Sequence, residues 1–383
     1  MEKLQGYLDK MGSNFIVSAF IPSLGFVTIL MLSLQPVLPP DIVDRLGGTF
    51  NPLGQSALVT LVLAIILGFT LSTLSTYIYK LYEGYVSSNW FKRARRSEVN
   101  RVHRLDAEIR RLDRKIARVQ VLMELPANQN RDEIIDRLKA LRDARFNLEA
   151  DKQNNFPPSD KYILPTRFGN ILRAAESYSR VRYGIDGVPM WPRLALVIPD
   201  QYMARVDMAN NQCSFLLNSS ILSVVYGLLC LLVSGYQLFI CILAAQGISF
   251  WLYFIPINLH PAVYFQRIGI YFVIAIFSFL IAMFFYKASL FNLNRYGLII
   301  RSAYDLFRFD LLRALKFPLP ETTEDEYQEW EDICQFINVG YQRGQEELAP
   351  LTYTFEQDQE PYVGNLVGYR VFARETEKRE QSE

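Results

Sequence analysis

Four long runs of the chain contain no Asp, Glu, Lys or Arg, and they constrain the fold more than any other feature. They lie between Lys10 and Asp41, Arg45 and Lys80, Asp207 and Arg267, and Arg267 and Lys287. Each run meets or approaches the roughly 20 residues that a helix needs to cross the hydrocarbon core of a bilayer. The sequence therefore predicts an all-α integral membrane protein.

The distribution of positive charge predicts the number of spans. The run from 208 to 266 has 59 residues, enough for one span and a loop or for two spans. Six Lys and Arg follow the last run, between 287 and 316, whereas only Arg45 lies between the first two runs. Because positive loops stay in the cytoplasm, both termini and residues 81–207 are expected there, which requires an even number of spans. We predict four transmembrane helices, at 15–35, 56–80, 213–240 and 267–288.

Two segments allow another interpretation. The first run follows Lys3 and Lys10, as a secretory signal would, but its apolar part is longer than a signal core and no small-x-small cleavage pattern follows. The aromatic segment 247–266 is predicted to be an outer loop, with a re-entrant segment as the alternative.

Residues 81–165 predict a cytoplasmic antiparallel coiled-coil hairpin. Apolar residues recur at alternating steps of three and four, which is the spacing of a heptad seam. They are Val102, Leu105, Ile109, Leu112, Ile116, Val119 and Met123. A second seam follows the short segment LPANQN, in Ile134, Leu138, Leu141 and Leu148. Because no helix breaker lies between Tyr85 and Trp90, the first arm is expected to continue directly from the second span.

A basic cluster at the start of this hairpin, Lys92, Arg93, Arg95 and Arg96, is expected to contact lipid headgroups. Nucleic-acid binding is the weaker interpretation, because residues 81–150 mix 16 Lys and Arg with 11 Asp and Glu. No nucleic-acid partner is expected.

Residues 166–212 are interpreted as an interfacial helix and a Pro-rich joint. Thr166 can cap a helix over 167–183, whose apolar residues share one face. The segment after it, RYGIDGVPMWPRLALVIPD, predicts a fixed turn that couples the hairpin to the third span. Trp191, Pro192 and Arg193 are the candidate coupling residues, and a ligand site is the alternative.

Residues 296–383 predict a small, mostly helical tail with an excess of acidic residues. Thr323 and Glu326 form the pattern of a capping box for a helix whose apolar face comprises Tyr327, Trp330, Ile333, Cys334 and Ile337. Residues 317–383 hold 5 Lys and Arg against 16 Asp and Glu. We therefore expect the tail to pack against the basic hairpin, within or between subunits.

The sequence shows no recognisable catalytic motif. The sequence contains no phosphate-binding Gly-rich loop, zinc ligand set or nucleophile elbow, and the two histidines, His103 and His260, fall on opposite sides of the membrane in the predicted topology. The four cysteines fit buried apolar positions. No enzymatic activity, catalytic residue, metal or cofactor is expected.

The predicted spans carry neutral polar side chains that could pack or line a pore. They occur in the second span, at Ser72, Thr73 and Thr76, and in the third span, at Asn218, Ser219, Ser220 and Ser223. Such residues allow close packing of helices. Alternatively, they line a pore that forms when several subunits assemble. Proton relays are disfavoured because the spans lack ionisable residues.

Two segments resemble a recurring pattern of uncharacterised multi-span bacterial membrane proteins. They are RYGIDGVPMWPRL, before the third span, and AYDLFRFDLLRALKFPLPETTEDEYQEW, after the fourth. The resemblance implies a bacterial inner membrane and contributes no activity or ligand.

The sequence thus predicts five regions: helix pair 1–80, hairpin stalk 81–165, joint 166–212, helix pair 213–295 and tail 296–383. The favoured function is an oligomeric channel or pore-forming effector gated by its cytoplasmic region. The alternative is a membrane anchor or scaffold whose stalk binds a soluble partner. A homo-oligomer in contact with membrane lipid is expected in either case.

Overall fold

A computed structural model describes residues 12, 14–34, 55–85, 89–124, 131–245, 261–340, 351 and 353–354. All regular elements in these residues are helical, which confirms the all-α class. The α-helices are α1 (Ile21–Leu34), α2 (Gln55–Glu83), α3 (Asn89–Glu124), α4 (Arg131–Asn155), α5 (Arg167–Tyr183), α6 (Gly187–Val197), α7 (Asp200–Ala245), α8 (Pro261–Leu315) and α9 (Thr323–Val339). A π-helical turn, Ile16–Phe20, precedes α1, and a short 3₁₀ turn, Asp160–Tyr162, precedes α5.

Four helical segments within the described residues are long and apolar enough to cross a membrane. They are Ile16–Leu34, Ala57–Glu83, Asp200–Phe239 and Gln266–Leu315. Each contains or closely matches one of the predicted spans. The last two belong to helices of 46 and 55 residues, so α7 and α8 are roughly 70 and 80 Å long at a rise of ~1.5 Å per residue. The predicted outer loop falls largely on residues 246–260, outside the described part of the chain.

The chain divides into two compact units. The first unit comprises Met1–Ala175 and Ala204–Ile299, and the second comprises Glu176–Met203 and Ile300–Glu383. The first unit has an apolar core between its long apolar helices and the start of α5. The buried residues of that core are Ala19, Leu71, Ile78, Phe168, Ile171, Cys213, Leu217, Leu222 and Leu293. The sequence reasoning did not anticipate that α5 contributes to this core.

Helices α3 and α4 lie side by side in opposite directions within the first unit. Ion pairs of 2.5 Å join Asp113 to Arg145 and Asp106 to Lys152, so residue numbers rise along α4 as they fall along α3. The predicted seams face each other, with Ile116, Val119 and Leu138 buried between the two helices. The predicted connection, 125–130, lies outside the described residues.

The predicted continuity of the second span and α3 is wrong. Helix α2 ends at Glu83, and α3 begins only at Asn89. Gly84 has a φ of +87°, a left-handed conformation that terminates helices and that glycine adopts without a steric penalty. The segment between Tyr85 and Trp90 contains no helix breaker, but Gly84 lies immediately before it.

The second unit is built around the end of α5, α6, the end of α8 and α9. Its buried core includes Ile185, Met190, Leu194, Leu311, Leu312, Trp330 and Ile333. The predicted fixed turn at 182–200 is largely helical instead, because α6 occupies Gly187–Val197 and includes Pro192. Pro189 lies in the first turn of α6, where a missing N–H breaks no helical hydrogen bond.

Helix α9 has its N-cap one residue before the predicted one. The Thr322 hydroxyl oxygen accepts a hydrogen bond from the backbone N–H of Asp325 at 3.1 Å, and its hydroxyl also lies 2.7 Å from the Asp325 carboxylate. The first turn also holds three acidic residues, Glu324, Asp325 and Glu326. Their negative charge stabilises the helix because it interacts favourably with the positive end of the helix dipole.

Candidate functional site

The polar residues of the predicted third span join α7 to its neighbours. Asn218 donates to the carbonyl oxygen of Ser18 at 2.7 Å, and Ser220 donates to the carbonyl of Ala282 in α8 at 3.0 Å. Ser223 donates within α7 to the carbonyl of Ser219, and its own carbonyl accepts from Ser278 of α8 at 2.6 Å. These groups therefore bond to helices of the same chain.

The bond from Asn218 satisfies a carbonyl that a proline leaves open. Pro22 is buried in α1 and has no N–H, so it cannot bond to the carbonyl of Ser18 four residues earlier, as a regular helix would require. The side chain of Asn218 is itself buried and supplies the missing donor. A sequence search for Asn in one span opposite Pro in another could have suggested this contact.

We predict that Asn218→Leu lowers the free energy of unfolding by about 1–2 kcal/mol, because it leaves the Ser18 carbonyl buried without a donor. Unfolding by titration with a denaturing detergent measures this change. Thr73→Val is the control, since the Thr73 hydroxyl is exposed and donates only to Phe69 in its own helix. Equal losses in the two variants would contradict the assigned role of Asn218.

The polar residues of the predicted second span have a different environment. Ser72, Thr73 and Thr76 are all exposed on the surface of α2. Thr70, also exposed, and Thr73 donate to carbonyls one turn earlier in α2. These residues therefore remain accessible to a further chain or to lipid, unlike the polar residues of α7.

The basic cluster at the start of α3 is divided between two environments. Lys92, Arg93 and Arg96 are exposed, as expected for residues that reach headgroups. Arg95 instead binds the segment before α5, where its guanidinium donates to the carbonyls of Asp160, Lys161 and Ile163 at 2.8–3.2 Å. His103 of α3 lies 2.8 Å from the carboxylate of Asp160, so two basic side chains fix this segment.

The sequence analysis did not predict a tight junction at the end of α2. The Thr166 hydroxyl donates to the carbonyl of Glu83 at 3.0 Å and accepts from the N–H of Gly169 at 3.0 Å, confirming Thr166 as the cap of α5. A Cβ on Gly169 would lie 2.5 Å from the Glu83 carbonyl oxygen, and one on Gly84 would lie 2.5 Å from Pro165 Cγ. The glycines thus let α2 and α5 meet backbone to backbone.

The predicted coupling residues lie on α6 in the second unit. Trp191 is half-buried, with its ring centroid 6.2 Å from that of Tyr304. Pro192 and Arg193 are exposed, and Arg193 donates to the carbonyl of Pro189 at 2.7 Å. Tyr304 is buried and donates to the carbonyl of Gly187 at 2.6 Å. These contacts hold α6 against α8.

The apolar face predicted for the tail helix is packed in the second unit. Trp330 and Ile333 are fully buried, Ile337 is half-buried against the same core, and Tyr327 is 39% exposed. The partners that cover this face are residues of α6 and α8. Apolar burial therefore determines the docking of α9 within the second unit. The packing of the acidic tail against the basic hairpin stays a prediction.

A charged and aromatic cluster lies beside this interface. The carboxylate of Asp305 accepts hydrogen bonds from Tyr178 at 3.0 Å and from Tyr183 at 2.6 Å. Burial and these hydrogen bonds raise the pKa of both phenols above the usual value, so both remain protonated through the neutral range. Arg308 lies over the Tyr183 ring and pairs with Glu326 of α9 at 2.5 Å. The cluster connects α5, α8 and α9.

Metal ligands and nucleophilic side chains are the remaining groups that could carry chemistry. No cluster of three or more His, Cys, Asp or Glu that could hold a metal occurs in the part of the chain that the structure describes. Cys334 is buried against the Asp186 backbone N–H at 3.3 Å, and burial raises the pKa of its thiol. That thiol is therefore a weak nucleophile while α9 is docked.

Comparison of the chain with protein-family models, with curated proteins and with solved structures finds no match.

Proposed function

We propose that this protein is a membrane-anchored scaffold whose α3–α4 pair is a cytoplasmic coiled-coil hairpin that recruits a soluble partner. The supporting observation is that the polar groups of the third span bond to other helices of the same chain, through Asn218, Ser220 and Ser223. Such groups stabilise the helix bundle and are not available to line a path for ions. The spans then serve as an anchor.

The partner surface that we propose is the outer face of α4. The heptad seams already bury each other, so they are not available to a partner helix. Ile135 and Phe146 are 42% and 70% exposed and lie eleven residues apart, which is about three helical turns. Exposed Lys139 and Arg142 lie between them on the same face. This pattern favours an amphipathic partner helix with acidic residues between its apolar anchors.

The wider setting is also part of the proposal. The positive-inside pattern supports a cytoplasmic position for both termini and the hairpin, and the sequence resemblance supports a bacterial inner membrane. We expect a non-enzymatic homo-oligomer in contact with lipid. Trp191, Pro192 and Arg193 remain the proposed residues that couple the hairpin to the third span.

A photo-crosslinking amino acid at position 146 tests the proposed partner surface in living cells. We expect one soluble protein to be crosslinked in high yield, and Ile135→Glu to reduce that yield at least tenfold because it places a carboxylate on the same face. Position 140 is the matched control, since Ala140 is exposed on α4 but points away from that face.

Equal crosslinking from positions 140 and 146 would count against a defined surface on α4. So would a yield that Ile135→Glu leaves unchanged. The purified protein should give no stepwise conductance in planar bilayers. A conductance that disappears when Ser72, Thr73 and Thr76 are substituted would contradict the scaffold proposal and support a channel.

The exposed polar face of α2 favours the channel as a second candidate function. Ser72, Thr73 and Thr76 could line an aqueous axis only if several chains assembled around it. The mass of the complex in nanodiscs separates the candidates. A closed ring of three or more chains would support a pore, whereas a monomer or a dimer would leave no axis for these residues to line.

A further inference from the structure

A cavity of ≈150 Å³ in the first unit lies where α3, α4, α5 and α8 meet. Its polar lining includes Arg101 of α3, Arg167 at the start of α5 and Glu98 of α3. Leu290 and Phe291 of α8 form an apolar part of the wall. A cationic lining beside an apolar wall matches the headgroup and upper acyl chains of a phospholipid.

The position of the cavity along α8 agrees with headgroup depth. The charge-free run of the fourth span ends at Lys287, and Leu290 and Phe291 follow within four residues, about 6 Å at the helical rise. The interfacial layer on each side of a bilayer is about 5–8 Å thick. Phe291 is 75% exposed, an orientation that allows its ring to contact acyl chains.

The two arginines provide the elements of a phosphate site. Arg101 is held in place by the ring of Phe156, whose centroid lies 5.6 Å from the guanidinium carbon. Arg167 is the first residue of α5, where the helix dipole adds partial positive charge. Guanidinium groups bind phosphate oxygens in a bidentate manner, so this pair suits one phosphodiester.

Glu98 indicates what else the ligand carries. Its Oε2 atom is buried and has no hydrogen-bond partner among the described residues, while Arg101 Nη1 lies 4.0 Å away. A buried carboxylate oxygen without a donor is unfavourable, and a ligand ammonium or hydroxyl group that enters the cavity would relieve this. The lining thus combines a site for a phosphate with a site for a donor.

We propose that this cavity binds the headgroup of phosphatidylethanolamine, with the phosphate on Arg101 and Arg167 and the ammonium on Glu98. Phosphatidylcholine carries the same phosphate and acyl chains, but its trimethylated ammonium has no N–H to donate. The site therefore distinguishes these two lipids through Glu98.

Native mass spectrometry of the purified full chain with equal concentrations of the two lipids tests this proposal. We expect phosphatidylethanolamine to be retained at least tenfold better than phosphatidylcholine. Glu98→Gln should remove the preference, whereas Arg167→Gln should weaken the retention of both lipids. Arg111→Gln is the matched control, because Arg111 is an exposed cation of α3 outside both the cavity lining and the basic cluster at 92–96, and its loss should change neither.

Equal retention of the two lipids by the unaltered protein would overturn the proposal. A second arm adds soluble phosphoethanolamine, which has the same headgroup chemistry without acyl chains. We expect no displacement of the lipid at equal concentration, because Leu290 and Phe291 contribute to binding. Displacement there would assign the cavity to a soluble phosphate ester and likewise overturn the lipid assignment. Retention by Glu98→Gln that still favours phosphatidylethanolamine would exclude Glu98 as the ammonium contact.

Discussion

Gly184→Ala is expected to destabilise the second unit by about 2–5 kcal/mol and to release α9. Gly184 ends α5 with a φ of +79°, where a side chain costs about 1–2 kcal/mol. Its added Cβ would also lie far inside contact distance of the Tyr327 carbonyl oxygen in α9, and overpacking of this kind costs about 1–3 kcal/mol more. The carbonyl belongs to helical backbone, which cannot yield as a flexible side chain would.

The thiol of Cys334 reports the release of α9. Because burial raises its pKa and excludes reagents, alkylation by a maleimide should be slow in the unaltered protein. In Gly184→Ala, we expect alkylation at least tenfold faster, measured on the peptide that contains Cys334 by mass spectrometry. A variant too unstable to dock α9 at all would give the same direction of change.

Gly340→Ala is the matched control for Gly184→Ala. Gly340 ends α9 with a φ of +81°, so a side chain there also carries a backbone penalty, but its Cβ would meet nothing within 4 Å. We expect a loss of about 1–2 kcal/mol, from the backbone alone. Equal alkylation rates in the two variants would show that backbone strain alone matters and would contradict the steric argument.

Much of this fold follows from patterns that are local in the sequence. Charge-free runs identified the four helical segments that are long and apolar enough to cross a membrane, because charged side chains are too costly to place in hydrocarbon. The helix predicted over 167–183 corresponds residue for residue to α5, because Thr166 supplies a cap and the glycine after Tyr183 a stop. The heptad seams likewise predicted which faces of α3 and α4 are buried.

The errors arose where one segment depends on another that is distant in sequence. The carbonyl that Pro22 leaves open predicts an unsatisfied acceptor, but only the folded chain shows that Asn218, about 200 residues later, is its donor. The glycine at position 84 is a local signal for a helix end, but only the folded chain shows how closely Pro165 and Thr166 approach it. The apolar face of α9 was predicted from its spacing, but only the folded chain shows that α6 and α8 cover Trp330 and Ile333.

Glu326→Gln is expected to destabilise the second unit by about 3 kcal/mol. Glu326 and Arg308 form a 2.5 Å ion pair between α9 and α8, with side chains only 6% and 15% exposed. Removing one partner leaves the other charge buried without its counter-ion, which costs about 3–5 kcal/mol. Arg308 retains its contacts with the Asp305 carbonyl and the Tyr183 ring, which places the expected loss at the lower end. Thermal or denaturant unfolding, with Cys334 alkylation as the local readout, measures it.

Two further variants test whether the loss of stability depends on the burial of this ion pair. Asp310→Asn breaks the ion pair with Arg313, whose side chains are 44% and 62% exposed, and should change stability by less than about 1 kcal/mol. The double variant Arg308→Met, Glu326→Leu should be more stable than Glu326→Gln, because it leaves no buried charge unpaired. A double variant as unstable as the single one would mean that the pair itself stabilises the interface. The expected recovery would instead mean that the pair specifies how α9 docks, while the apolar face of α9 supplies the stability.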